Sequence, residues 1–424
     1  MNNIKTNIPK ILFSILPISI ILGSSVSLIN TILFSLCFVF IYFHKSDIKI
    51  YDFKPVFLLI VLNLYLVFNS IISVDMMSGI SRNFGFARFI LFFIMVNYLF
   101  SINEKNESIF KIWTTVFFIV LVDIYIERFT GSNILGFGKV EINGVLQPHG
   151  DRVVSFFRNE PIAGSFICGF SFIIFGYILN IFKSPKIFKL IGFIVILFCL
   201  VGIMLTGERS NGLKALIGIV IFFSIIDYFK LKQKILIFIA FFAIFLFAIN
   251  FSDYLKLRYI DQIYSKIKSE DERKDFFDRS LYLKLYKSGF YVFKNNPWFG
   301  VGNKNYRIET CDTNKKTIHK EYWCQTHPHQ VYIEMLSEHG IIGTIIILSI
   351  IFYLAFRIIR KIIDSRNYIQ AGCLVFLIIN FVPILPSGAF FNNFSITLFM
   401  INFSLMYAVN KETNIFSKKN DINI

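Results

Sequence analysis

Apolar residues run along this chain in blocks of roughly helix-spanning length, separated by short polar connections and interrupted once by a long polar stretch. Blocks of about 20 residues match the hydrocarbon thickness of a bilayer when wound as helices. About twelve spans are predicted, over 11–26, 28–43, 55–73, 84–101, 110–127, 159–181, 187–205, 211–228, 233–250, 340–359, 368–385 and 391–409. The first two are short and thinly separated by Gly23-Ser-Ser-Val-Ser27. No cleavage-site pattern flanks the first, so it reads as structural and not as a removable signal. The expected fold class is an all-α polytopic membrane protein. It divides into 1–150 (five spans and a first outward loop), 151–251 (spans six to nine), the long loop 252–339, and 340–424 (three spans and a tail).

Composition agrees, with 55% hydrophobic, 18% aromatic and 17% charged residues and a mean hydropathy of +0.63. The lysines and arginines then set a direction. Lys45, Lys49, Lys54, Lys183, Lys186, Lys189, Lys230, Lys232, Lys234, Arg357, Arg360 and Lys361 fall on one side, with both termini. That side is expected to be cytoplasmic. The other side receives 74–83, 128–158, 206–210, 252–339 and 386–390. The net charge of +16 follows from this asymmetry and from anionic lipid, and no soluble basic domain exists to bind nucleic acid. Outward cations run against the positive-inside trend. Most of those in the short loops are arginines: Arg82, Arg128, Arg152, Arg158 and Arg209. Such residues suit a protein that holds an anion there.

The most informative stretch is His327-Pro-His-Gln-Val-Tyr-Ile-Glu-Met-Leu-Ser-Glu-His-Gly-Ile-Ile-Gly343, where the long loop re-enters an apolar segment. Pro328 suits a first helical turn, because the amide it lacks would have no partner there. A helix from Pro328 puts His329 on one face with Tyr332, Ile333, Leu336, Gly340 and Gly343, and turns Gln330, Glu334, Ser337 and Glu338 away. The positive end of the helix dipole then disfavours an imidazolium and attracts an anion. A neutral imidazole beside an anion site can serve as a general base; a lone structural histidine at the interface is the competing reading.

Other candidates follow along the chain. Residues 74–88 read as an interfacial segment in which Arg82 and Arg88 face lipid phosphates or a bound substrate phosphate. In Gly150–Ser165, Arg152, Arg158 and Glu160 stand at a membrane boundary, free to pair with one another or to hold a ligand. Thr206-Gly-Glu-Arg-Ser-Asn-Gly212 is a tight turn that keeps Glu208 and Arg209 near the bundle, as a site or as a snorkelling arginine. In the long loop, 253–278 reads as charged surface helix and 279–293 as an amphipathic helix. A Pro/Gly turn at 295–303 follows, then an extended piece to Cys311. Cys37, Cys168, Cys199 and Cys373 read as buried apolar fillers. Cys311 and Cys324 alone lie in a polar region, where an oxidising compartment would let them pair. Free thiols, or a metal site with His319, His327 and His329, are the alternatives, although no second thiol pair supports zinc.

These motifs resemble the O-antigen ligase and polymerase superfamily of bacterial membrane glycosyltransferases. The ligases carry a histidine, then Asn, Ser or Gln, nine residues, and two glycines three apart; here these are His329, Gln330, Gly340 and Gly343. Pro297–Gly302 resembles the family's Pro-x-x-Gly-x-Gly, Arg279 stands where many members have an upstream arginine, and Thr206–Ser210 is similar to its arginine-bearing turn. Arg152 with Glu160–Ser165, the Cys311/Cys324 pair and Ser387–Asn393 resemble one subgroup. The likeness covers roughly 150–400.

It implies a GT-C-like architecture in the bacterial inner membrane, with the large loop periplasmic. It also implies transfer of a glycan from polyprenyl diphosphate to an acceptor hydroxyl, of lipid A–core or another glycan, with inversion and without ATP, metal or other cofactor. His329 is the expected base. Arg209, Arg279, Arg152, Glu160, Glu208, His327, Arg82 and Arg88 are the expected diphosphate- and substrate-binding set. A polymerase of lipid-linked repeat units and a protein O-oligosaccharyltransferase share this donor chemistry. A transporter or flippase is the rival of another class; it calls for ionisable groups at mid-membrane depth and half-to-half repeats, whereas the charges here gather on one face, with Asp123 the main exception.

Overall fold

The computed structural model describes residues 2–44, 48–102, 106–142, 144–147, 149–181, 186–227, 229–261 and 280–418. Helices make up 73% of it. In chain order they are α1 (Asn2–Ser14), α2 (Leu16–Ile21), α3 (Ser24–His44), α4 (Lys54–Ile71), α5 (Met76–Phe84), α6 (Ala87–Ile102) and α7 (Glu107–Thr130). After a small hairpin, β1 (Glu141–Ile142) with β2 (Val145–Leu146), come α8 (Ala163–Ile181), α9 (Lys186–Leu205), α10 (Arg209–Ile225), α11 (Leu231–Phe251) and α12 (Asp253–Lys256). The loop and last helices are α13 (Leu281–Asn295), α14 (Tyr306–Cys311), α15 (Thr313–Ile318), α16 (Val331–Phe356), α17 (Ile359–Asp364), α18 (Tyr368–Asn380) and α19 (Asn393–Ala408).

Seven helices among the described residues are long and apolar enough to cross a bilayer, and three shorter apolar helices accompany them. The chain is thus an all-helical polytopic membrane protein. Each predicted span falls on a helix. The first is broken into α1 and α2 around Ile15, with Pro17 opening the second piece. The centre is built on close backbone contact between α8 and α18. A Cβ on Gly372 would lie 2.0 Å from the Phe172 carbonyl oxygen, and one on Gly176 would lie 2.2 Å from that of Tyr368. Small residues at such crossings let membrane helices approach and gain dispersion contacts. Opposite the large loop, Arg357 Nη2 donates to both oxygens of Asp52 at 2.9 and 2.8 Å. There Asn414 Nδ2 donates to Asn97 O at 2.8 Å and Ile415 is wholly buried.

One expectation for the large loop changes. Tyr306–Cys311 is helical and not extended, and only its neighbour α13 matches the predicted amphipathic helix. The charged stretch 262–279 lies outside the described residues, apart from the first turns of its predicted helix at Asp253–Asp261. Cys311 and Cys324 are joined by a disulfide.

The loop is locked to the bundle by a break inside α16. Gly340 adopts φ 63° and ψ −169°, which no regular helix permits. In an uninterrupted helix Ile341 N–H would donate to Ser337 O, and Ile342 N–H to Glu338 O. The Pro297–Gly302 turn is threaded through this gap instead. Val301 N donates to Ser337 O at 3.0 Å and Gly302 N to Glu338 O at 2.9 Å. In return Ile341 N donates to Pro297 O at 2.8 Å and Ile342 N to Trp298 O at 3.2 Å. These four bonds satisfy the Ile341 and Ile342 amides and the Ser337 and Glu338 carbonyls that the break would otherwise leave open.

Glycine is required on both sides of this splice. A Cβ at Gly340 would lie 2.3 Å from Trp298 O, and one at Gly300 would lie 2.4 Å from Glu338 C. Asn69 extends the junction to α4, donating to Phe299 O at 3.0 Å and accepting from Asn303 N at 2.9 Å. Gly340→Ala is expected to destabilise the protein by about 3 kcal/mol, through strain and lost splice bonds. Thermal unfolding of the detergent-purified chain measures this, and an unchanged midpoint would contradict it.

Candidate functional site

The α16 helix begins later than its proline suggests. Gln330 is the N-cap, extended at φ −150° and ψ 128°, and its Oε1 accepts from Ile333 N at 2.8 Å. His329 therefore lies before the helix, in the left-handed region at φ 56°. It does not share a helical face with Tyr332, Ile333 and Leu336. The physical reason is the cap: Gln330 in β conformation satisfies an amide of the first turn and stops the helix from reaching back to Pro328. Ser387 N donates to His329 O at 2.9 Å and holds this backbone from the other side.

His327 and His329 lie ring against ring, with centroids 3.9 Å apart. Tyr282 of α13 meets His329 edge-on at 6.0 Å. Burial is the main force pushing the His327 pKa down to about 3, helped by His329 and opposed by a backbone contact with Ser387. His329 is lowered too, first by burial and then by the Arg152 charge, against the same Ser387 contact. Both imidazoles are neutral at pH 7. The cause is desolvation and a nearby guanidinium, where the sequence had suggested a helix dipole. Two buried polar atoms here lack a partner, His327 Nε2 and Ser387 Oγ.

Cations from three segments join them. Arg152 lies within electrostatic reach of His329 and Glu208, and its Nε donates to His149 O at 3.2 Å. Arg209, opening α10, donates Nη1 to Arg258 O at 3.1 Å and is within reach of Arg258, Tyr282 and Asp151. Arg258 donates Nη2 to Gly207 O at 2.7 Å and stands 3.4 Å from Asp151 Oδ1. Arg258, Asp151 and Tyr282 were not among the sequence candidates. Arg258 lay in a run of charge that reads as solvated surface, and no spacing marks it out.

Glu208 is committed to the scaffold. Its Oε1 accepts from Gly164 N at 2.6 Å and its Oε2 from Ser165 Oγ at 3.1 Å, and Asn211 Nδ2 also donates to Oε2. It thus caps the start of α8. Burial raises its pKa to about 7, against these donors and Arg152.

Not all candidates converge. Glu160 is exposed, and no ion pair among the described residues joins it to Arg152 or Arg158. Arg279 lies outside the described residues. Arg82 and Arg88 belong to a separate group of charges beside Glu334 and Glu338. Those two carboxylates, expected to face away from the packed side of the helix, are each only 3% exposed. Asp123 accepts from Ile134 N at 3.0 Å and from Ser155 Oγ at 2.6 Å, so it anchors the first outward loop. Among the described residues no group of histidines, cysteines and acids is arranged to hold a metal ion.

The class the structure defines is a polytopic helical membrane protein in which His327 and His329 stand beside Tyr282, with Arg152 in electrostatic reach of His329 and Arg209 of Tyr282. Residues 193–348 match the family model Wzy_C, O-antigen ligase, and the match supports the O-antigen ligase and polymerase superfamily. The matched stretch contains Glu208, Arg209, the Pro297–Gly302 turn, His329 and the break at Gly340. The match supports O-antigen ligase- or polymerase-type function in general, and a glycosyl-transferring enzyme in the broad sense. The curated proteins contain no match.

The histidine pair makes a pH prediction. Unfolded, His327 gains a proton near pH 6.5; folded, it resists protonation until about pH 3. Stability contributed by its neutral form is therefore present above 6.5 and falls as pH drops through that window. His327→Gln is expected to flatten the acid side of a plot of unfolding midpoint against pH. An equally steep acid limb in the variant would contradict the assignment.

Proposed function

We propose that the chain transfers a glycan from a polyprenyl diphosphate donor to an acceptor hydroxyl on the periplasmic face of the bacterial inner membrane, with both termini cytoplasmic. The observation that carries this reading is that Arg152 lies within electrostatic reach of His329, and that Arg209, bonded to Arg258, lies within reach of Tyr282, whose ring meets His329. The acceptor oxygen attacks the anomeric carbon while the bond to the diphosphate oxygen breaks, inverting the centre. His329, neutral and half-buried, accepts the hydroxyl proton. The electron pair leaves on the diphosphate, where Arg209, Arg152 and Arg258 offset the charge that develops. Arg279 carries the same role on family resemblance. The unpartnered His327 Nε2 and Ser387 Oγ are suited to hold the acceptor sugar in register. The activated bond arrives in the donor, so no nucleotide is consumed. The favoured acceptor is lipid A–core, as in a ligase.

Purified chain in liposomes, without ATP or an ion gradient, is expected to transfer glycan. His329→Ala should lower transfer about 100-fold or more while the protein still folds and inserts. Full transfer by that variant removes the base from the mechanism. Arg209→Lys should lose about tenfold or more if the guanidinium grips the diphosphate with two donors; near-normal turnover would assign Arg209 to lipid snorkelling. In a deletion strain a ligase leaves long chains on the carrier lipid, whereas single units left there would mark a polymerase.

A further inference from the structure

Arg258 and Tyr259 are neighbours in the π-helical turn Leu257–Asp261 that follows α12. Each buries a polar group that has no hydrogen-bond partner among the described residues, Arg258 Nε and the Tyr259 hydroxyl. The segment that carries them is pinned. Tyr254 donates its hydroxyl to Asp151 O at 3.1 Å, and the Arg128 guanidinium lies 3.6 Å from the centre of the Tyr254 ring. Arg258 Nη2 is tied to Gly207 O. The Tyr259 ring meets Phe245 of α11 edge-on at 5.8 Å, and a Cβ on Gly212 would strike the Tyr259 hydroxyl. Tyr259 is thus wedged between a membrane helix and the first turn of α10, within electrostatic reach of Arg258, Arg209 and Glu208.

Packing alone does not account for this hydroxyl. A buried O–H without an acceptor costs stability, and phenylalanine would meet Phe245 equally well. Burial, ahead of Tyr254, pushes the phenol above its ordinary range against Arg258 and Arg209, so it remains a donor. Glu208 is already engaged by Gly164, Ser165 and Asn211, and Asp151 Oδ1 faces Arg258 Nη1 at 3.4 Å. A phenol O–H and an arginine Nε beside Arg209 form a set of donors, and phosphate oxygens are the acceptors that match it.

Two positions separate along this cluster. Arg152 is the cation within reach of His329. Tyr259 stands instead against α11, a helix long and apolar enough to cross the bilayer, which leaves Phe242 and Leu246 exposed on either side of Phe245 in sequence. We propose that the Tyr259 hydroxyl, with Arg209 and Arg258, binds the phosphate joined to the polyprenol, and that Arg152 binds the phosphate joined to the sugar. This rests on the transfer reading above and divides its diphosphate between two sets of residues. The polyprenyl chain then leaves along the exposed side of α11.

The test titrates the full-length chain in detergent micelles with undecaprenyl diphosphate and with undecaprenyl phosphate, following binding by thermophoresis. Tyr259→Phe removes one hydroxyl and is expected to weaken both lipids about tenfold, the scale of a hydrogen bond to a charged group, with the unfolding midpoint unchanged. Arg152→Gln should weaken the diphosphate about tenfold and the monophosphate less than about twofold. Arg209→Gln should weaken both. Equal binding by wild type and Tyr259→Phe, with binding lost in Arg209→Gln, overturns the role of Tyr259 and leaves the transfer reading standing. A loss in Tyr259→Phe confined to the diphosphate overturns the division of the two phosphates. Failure of wild type to bind either lipid overturns this site and the transfer reading together.

Discussion

Four backbone hydrogen bonds at Gly340 join the large loop to the helical bundle. At that point a helix opens and a turn 40 residues earlier in the chain, Pro297–Gly302, is inserted into it, donor for acceptor. Ser337 and Glu338 are buried, and a buried amide or carbonyl left unmatched would cost about 1–3 kcal/mol. The exchange satisfies the Ile341 and Ile342 amides and the Ser337 and Glu338 carbonyls, so the turn cannot leave without exposing its own groups and those of α16 together. Through Asn69 the same turn is tied to α4. The capping loop is in this way part of the bundle and not an appendage on it.

What the splice positions is the residue pair at the other end of the short helical segment 331–339. His329 is fixed by the Gln330 cap on one side and Ser387 on the other, in a backbone conformation that a non-glycine residue holds only when its neighbours impose it. Burial keeps the imidazole unprotonated. Arginines arrive from the loop between α7 and α8, from the α9–α10 turn and from the π-helical turn after α12, and each spends one donor on a backbone carbonyl. Those bonds hold the guanidinium groups in place before an anion arrives, so little reorganisation remains for binding.

The membrane helices were legible in the sequence, because hydropathy over about 20 residues reflects a physical thickness and little else. The histidine and its two glycines were legible as a motif, but their geometry was not. Apolar periodicity runs unbroken through Ile341 and Ile342, so nothing in it reveals that Gly340 interrupts the hydrogen bonds. Pro328 suggested a helix start that the side chain of Gln330 sets three residues later, at Val331. Glu334 and Glu338 fell on faces other than the packed one because a single helix was considered; the Phe390 and Tyr306 amides that bond to them come from distant segments. Lys214, buried on α10 near Cys168, had no sequence signal at all. Arg258 was hidden for the opposite reason, in a stretch where charge is commonplace.

The most direct measurement is an experimental structure, by cryo-electron microscopy in a nanodisc, of the full chain with polyprenyl diphosphate bound. The phosphates are expected between Arg209, Arg152 and Arg258, within hydrogen-bonding reach, with His329 facing the carbon that bears the glycan and the turn still threaded at Gly340. Density for the diphosphate at Arg82 and Arg88 with the histidine pair empty would contradict the account, as would an α16 continuous through Gly340.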